Sequence, residues 1–248
     1  MVTSLVGNWI RRGGFLLVLA AAVATTISCG GGGGGSNGSK DRGFVETRSI
    51  AVCDPSAGPF SLDVTNPFFP LPVGRELVLE GVVDGEAIVL VVTVLDQVEV
   101  IAGVTTRVVE ERETADGELV EVSRNFFAQA PDGTVCYCGE DVDIYENGVV
   151  VSHEGQWRAG INGALPGIIM PSNPVVGDAY RNESAPGVAE DRAEVTSLGD
   201  QVIVPAGTFD DTLTTFEDTP LEDSTSTKIY ASGVGLIKDD ALELTSFQ

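Results

Sequence analysis

RELVLEGVVDGEAIVLVVTVLD, residues 75–96, decides the fold. Before Asp84-Gly85 the chain alternates, with Leu77 and Leu79 on one side and Glu76 and Glu80 on the other. This is the period-2 pattern of a strand with one wet face. After the Asp-Gly pair, residues 87–95 are apolar on both faces, which predicts a central strand covered on both sides. Asp-Gly is the pair that accepts the positive φ angles of a two-residue hairpin turn, so the two strands are antiparallel.

The same grammar repeats outward. Asp116-Gly117 divides residues 105–114 from 118–130, and Asp132-Gly133 and Asn147-Gly148 follow. No segment holds a helical period. Residues 155–171, with Trp157, Ile161, Leu165 and Ile168 among glycines and prolines, read as a loop or short helix. The expectation is an all-β fold of antiparallel meanders.

An internal echo refines it. Gln97-Val-Glu-Val-Ile-Ala-Gly103 returns as Gln201-Val-Ile-Val-Pro-Ala-Gly207, and the same shift carries Glu113 onto Glu217. Asn66-Pro67 and Val73-Gly74 are matched by Asn173-Pro174 and Val176-Gly177. Phe126-Phe127-Ala128 is matched by Ile229-Tyr230-Ala231. Two similar halves, about 66–140 and 173–240, are expected to form a curved sheet or incomplete barrel. In the second copy Pro205 fixes φ at a strand end, and Gly207 is expected to supply the positive φ that reverses the chain.

The N-terminus has another character. Arg11 and Arg12 precede an apolar run from Phe15 to Val23, too short for a permanent bilayer span, and Thr26-Ile27-Ser28-Cys29 follows. This is the layout of a signal peptide over residues 1–28. Its last four residues resemble the lipobox of bacterial lipoproteins, differing at Thr26 where Leu is usual. The resemblance implies that Cys29 is acylated and becomes the first residue, anchoring the chain in a membrane. Gly30, where Asp would signal inner-membrane retention, implies the outer membrane. Residues 29–43 hold six consecutive glycines and then Ser36-Asn37-Gly38-Ser39. Ten such residues form a flexible coil reaching roughly 15–20 Å, a tether for a domain spanning 44–248.

Charge narrows the function. Of 14 Lys and Arg, Arg11 and Arg12 leave with the signal peptide, so 12 face 37 Asp and Glu, a net charge of −25. Nucleic acid is excluded as a partner, because its binding needs basic patches to replace phosphate counterions. The sole histidine, His153, has no second histidine at metal-ligand spacing and no Gly-x-Ser-x-Gly elbow elsewhere to serve. The densest acids are Glu140, Asp141, Asp143 and Glu146. Asp141 and Asp143 would share a strand face, and with Glu140 they form a candidate calcium site, although Tyr145 and Glu146 exclude an EF-hand loop. Three cysteines remain after Cys29. In an oxidising compartment Cys53 is expected to pair with Cys136 or Cys138, closing a long loop and leaving one thiol.

Val204-Pro-Ala-Gly-Thr-Phe209, Tyr230-Ala-Ser-Gly-Val-Gly-Leu236, Glu140-Asp-Val-Asp-Ile-Tyr-Glu-Asn-Gly148 and Ser152-His-Glu-Gly155 resemble motifs of a family of bacterial exported lipoproteins with no assigned activity. The strand-rich pattern is also similar to that of LolA-type lipoprotein carriers, whose curved half-barrel cups a lipid. The resemblance implies no catalytic residues. The sequence therefore predicts a non-enzymatic envelope lipoprotein binding an apolar ligand or a partner protein. A calcium-stabilised surface protein and a carboxylate-based hydrolase are the alternatives.

Overall fold

The computed structural model describes residues 43–248; the signal peptide, Cys29 and the glycine tether lie outside the described residues. The all-β expectation holds. The strands are β1 (Glu76–Val83), β2 (Glu86–Ile101), β3 (Val104–Ala115), β4 (Glu118–Gln129), β5 (Val135–Glu146), β6 (Val149–Ser152), β7 (Trp157–Arg158), β8 (Gly167–Met170), β9 (Ala179–Arg181), β10 (Arg192–Val204), β11 (Gly207–Asp218), β12 (Thr225–Ala231), β13 (Gly235–Asp239) and β14 (Leu242–Phe247). They form one antiparallel sheet, ordered β6-β5-β4-β3-β2-β1-β14-β13-β12-β11-β10-β9.

The turns explain why neighbours in sequence are neighbours in the sheet. Asp84-Gly85, Asp116-Gly117 and Asn147-Gly148 take positive φ at both positions, the geometry that matches strand twist. Ala102-Gly103 does the same, with Ala102 at φ 49°. In the second copy Gly207 takes a positive φ of 150° as expected, but at the start of the return strand. There the reversal falls on Pro205-Ala206, and Gly207 opens β11. Proline cannot adopt the positive φ of the first turn, so the two turns are of different types.

Alternation sets the core as read. Leu77 and Leu79 are buried and Glu80 is exposed; on β2, Ile88, Leu90 and Val94 are buried while Val89 and Val91 are partly covered. The concave face is filled from a loop. Asn66, 3% exposed, donates to Pro171 O (2.9 Å) and Gly133 O (3.2 Å), and accepts from Phe68 N. That pinning carries Phe68, Phe69 and Leu71 inward. Phe69 meets Phe127 edge-on at 5.1 Å and lies 6.3 Å from Tyr230, so one ring touches both halves of the sheet.

The sheet is not closed. β5 and β9 do not pair, and residues 155–171 occupy the seam. That segment contains no helix: its two strands are short, and both β7 and β8 pair with β5. Glycines on the segment and on β5 allow close approach. A Cβ on Gly167 would lie 2.0 Å from Asn182 O, and one on Gly139 2.5 Å from Trp157 O. A bridge between Leu165 and Ser184 carries the contact toward β9.

Candidate functional site

Along β5 the side chains divide between two faces, and the acids divide with them. Asp141 and Asp143 lie on the outer face. Asp141 receives a two-pronged bond from Arg158 (2.9 and 2.5 Å), and Asp143 lies 3.1 Å from an Arg124 nitrogen and 3.0 Å from His153 Nδ1. Fixed arginines thus supply the positive charge beside both. Glu140 points to the opposite, inner face and is 1% exposed. The three candidate calcium ligands are not brought together. Among the described residues no three His, Cys, Asp or Glu side chains are placed to hold one metal ion. His153 also sits 2.7 Å from Val142 O, with no nucleophile paired to it. Cys53 is bonded to Cys136, and Cys138 is the free thiol; burial pushes it up to about 12, so it is unreactive at neutral pH.

The inner face carries a polar cluster that the sequence reading missed. Across β11, β12 and β13, Lys228 pairs with Thr215 on one side and Asp239 on the other, and Glu217 lies two residues beyond Thr215. Lys228 is 1% exposed, with Nζ 3.2 Å from Glu217 and 3.3 Å from Asp239. Burial alone would lower the Lys228 pKa, but Asp239 and Glu217 carry it above the ordinary lysine value. Asp239 is raised to about 6 by burial, despite Lys228, and Asp191 to about 7 by burial and Glu217.

Across β3, β4 and β5 the same register relation recurs. Asn125 pairs with Val109 and with Glu140, and Glu111 lies two residues beyond Val109. Ser123 faces Glu111 as Ser226 faces Glu217. Asn125 thus stands where Lys228 stands in the other half. Its Oδ1 accepts from Tyr137 at 2.5 Å, and its Nδ2 has no hydrogen-bond acceptor. Both Glu140 oxygens are enclosed, and the Tyr137 hydroxyl lies against the carboxyl group. Burial raises the Glu140 pKa well above the carboxylate range, reinforced by Glu121 and Glu111. The signal that could have found this cluster is alternation: Ser226, Lys228 and Tyr230 share a face with the core tyrosine.

Glu140 also contributes to the wall of a pocket of about 230 Å³ at the seam. The pocket lies between β5, β7 and the loops at 161–164 and 185–188. Trp157, Ile161, Ala164 and Val188 supply its apolar wall, and Arg158 and Asp141 complete the lining beside Glu140. Trp157 is 6% exposed and its indole N–H has no acceptor. By contrast the apolar opening among Phe69, Leu77, Val92 and Leu236 measures only about 30 Å³, too small for an acyl chain.

The buried acids fix the pH dependence. Glu140, Asp191 and Asp239 hold protons more tightly folded than unfolded, so each destabilises the fold once pH rises above the ordinary carboxylate range. Stability should rise as pH falls from about 8 to about 5, by up to ~1.4 kcal/mol per pH unit for each such group. Urea midpoints at the two pH values check this; a higher midpoint at the alkaline end would refute the assignment.

No family model and no curated protein matches the chain. Among solved structures it is similar to a "putative lipoprotein" from Parabacteroides distasonis, at 16% identity and a TM-score of 0.36, covering 74% of this chain and 99% of the other. At that TM-score the likeness assigns no residue a role.

Proposed function

We propose that the chain is a lipid-anchored, non-enzymatic binding protein of the cell envelope, tethered through Cys29, whose recognition site is the seam pocket. Anchoring is supported by the charged, apolar and cysteine-terminated order of residues 1–29 and by the glycine run after it. Among the described residues no helix is long and apolar enough to cross a membrane. The binding reading is carried by one observation: the pocket of about 230 Å³ left where β5 and β9 fail to pair has an apolar wall of Trp157, Ile161, Ala164 and Val188 with the charged Arg158 and Asp141 beside it. The filled concave face favours a small ligand or a partner's side chain over a lipid. The two runs of strands, β1–β5 and β9–β13, follow each other around the sheet in one direction, which supports a duplication of one meander.

Two measurements test this reading. The wild type should incorporate labelled palmitate and partition into detergent, and Cys29→Ser should do neither. Native mass spectrometry of the soluble Cys29→Ser protein should then show a bound small mass. A bare mass, unchanged on adding envelope extract, would remove the binding assignment.

A further inference from the structure

The described residues open at Gly43, and residues 30–42 separate it from Cys29. That span measures at most about 50 Å fully stretched. A domain of this size is roughly 45 Å across, so half its circumference is roughly 70 Å. With Cys29 held in a bilayer, the chain is too short to pass around the domain. The surface around Gly43 can rest on the lipid, and the opposite side cannot reach it. In the sheet order β1 stands about halfway between β5 and β9, which approach at the seam, so Val82 on β1 marks that far side.

The surface around Gly43 is apolar where it is bare and neutral where it is charged. Thr47 and Arg48 donate backbone bonds to Ala179 O on β9 (2.9 and 3.1 Å), which lays residues 43–48 beside that strand. Between them and the sheet lies an opening of about 470 Å³, with Phe44, Val45, Ala179 and Phe216 as its apolar lining. Val45 is 72% exposed. Val175 and Val176 are 56% and 60% exposed, in the turn that leads to Gly177 on the rim of the same opening. The acids here are matched by arginines: Arg48 holds Asp178 at 2.8 Å, Arg181 holds Glu46 at 3.1 Å and Arg192 holds Asp218 at 2.8 Å. The Arg192 guanidinium also lies over the Phe44 ring at 4.8 Å. Glu194 is the remaining acid of the lining, and Lys40, Asp41 and Arg42, just before Gly43, carry one net positive charge to offset it.

We infer that this surface is a second membrane contact: Val45, Val175 and Val176 insert among the lipid headgroups beside the tether. The inference rests on the lipidation of Cys29 and adds an orientation to it. Exposed apolar side chains grouped at the point where a lipid tether enters lose their contact with water when the domain lies down on the bilayer. The mature chain, at −25, is repelled as a whole by anionic headgroups, and a locally neutral surface is the one that can approach them. Held this way, the domain turns β1 and β14 away from the membrane.

The test uses the lipidated chain reconstituted in phosphatidylcholine vesicles, with an environment-sensitive dye on Val176→Cys or on Val82→Cys. Both positions are exposed, and the native free thiol, Cys138, is buried and unreactive, so the dye marks one site. Quencher-bearing lipid should dim the dye at 176 roughly twofold, as expected for a group at headgroup depth, and leave it unchanged at 82. Adding Val45→Glu and Val175→Glu should remove most of the quenching at 176 while palmitate incorporation and vesicle flotation persist. Equal quenching at both positions, or none at either, in protein that floats with the vesicles would overturn the inference and leave the anchor standing. A dye at 176 shielded from aqueous iodide but untouched by the lipid quencher would place a second copy of the chain on this surface, and would overturn it too. Protein that neither takes up palmitate nor floats would remove the anchor, and the inference with it.

Discussion

Replacing Lys228 by Met should lower stability by about 3–5 kcal/mol near pH 8, the usual consequence of stranding buried charges by removing their partner. Lys228 is 1% exposed, within 3.3 Å of both Glu217 and Asp239. Methionine fills much of the volume but leaves two carboxylates facing each other in the core. They can escape only by taking up protons, and Asp239 already holds its proton up to about pH 6. The deficit should therefore shrink toward pH 5, where both acids can be neutral. The wild-type ammonium is itself favoured by folding, so its contribution is complete below the ordinary lysine pKa and is lost only as pH rises past it. Restoring neutrality by adding Glu217→Leu and Asp239→Leu should recover most of the loss. A change below about 1 kcal/mol in chemical denaturation at pH 8 would mean that the cluster is relaxed by water.

Removing the disulfide should have a comparable effect. The bond joins Cys53 to Cys136 across a sequence separation of 83, and the chain-entropy relation gives about 4.5 kcal/mol for a loop of that length. Cys53 lies in the short 3₁₀ turn Ile50–Cys53 and Cys136 is wholly buried on β5, so the bond fastens the start of the domain to the strand that builds the pocket. The Cys53→Ala/Cys136→Ala protein should show that loss in urea. Cys138, buried and with its thiol pushed up to about 12, should not rescue pairing when only Cys136 is replaced. A double variant within about 1 kcal/mol of wild type would show that the loop is already restrained in the unfolded chain.

What could be read from the sequence was local. Asp84-Gly85 and Asp116-Gly117 announce hairpins because few residue pairs accept two positive φ angles, and Leu77/Leu79 announce a face because strands repeat every second residue. Residues 155–171 resisted because β7 is two residues long and β8 four, too short for a period to show among glycines and prolines. At the site, alternation correctly put Asp141 and Asp143 side by side. It could not supply Arg124 and Arg158, which arrive from other strands. Glu140 was grouped with these acids, yet one residue along a strand is the opposite face. Lys228 was not singled out, because its burial depends on Glu217 and Asp239 reaching it across two interstrand pairings.

The pairing of β1 with β14 sets the order in which this molecule can be made. Leu79 lies opposite Leu244, and Glu76 exchanges backbone bonds with Gln248 at 3.1 and 3.2 Å. The first long hairpin thus keeps a raw edge throughout synthesis, and the halves cannot join until the strand at 242–247 has left the ribosome. Contacts so distant in sequence form late and slowly. Under the export proposed above, that delay keeps the first hairpin's edge open until residues 242–247 arrive, and the two halves then lock along one line in the middle of the sheet.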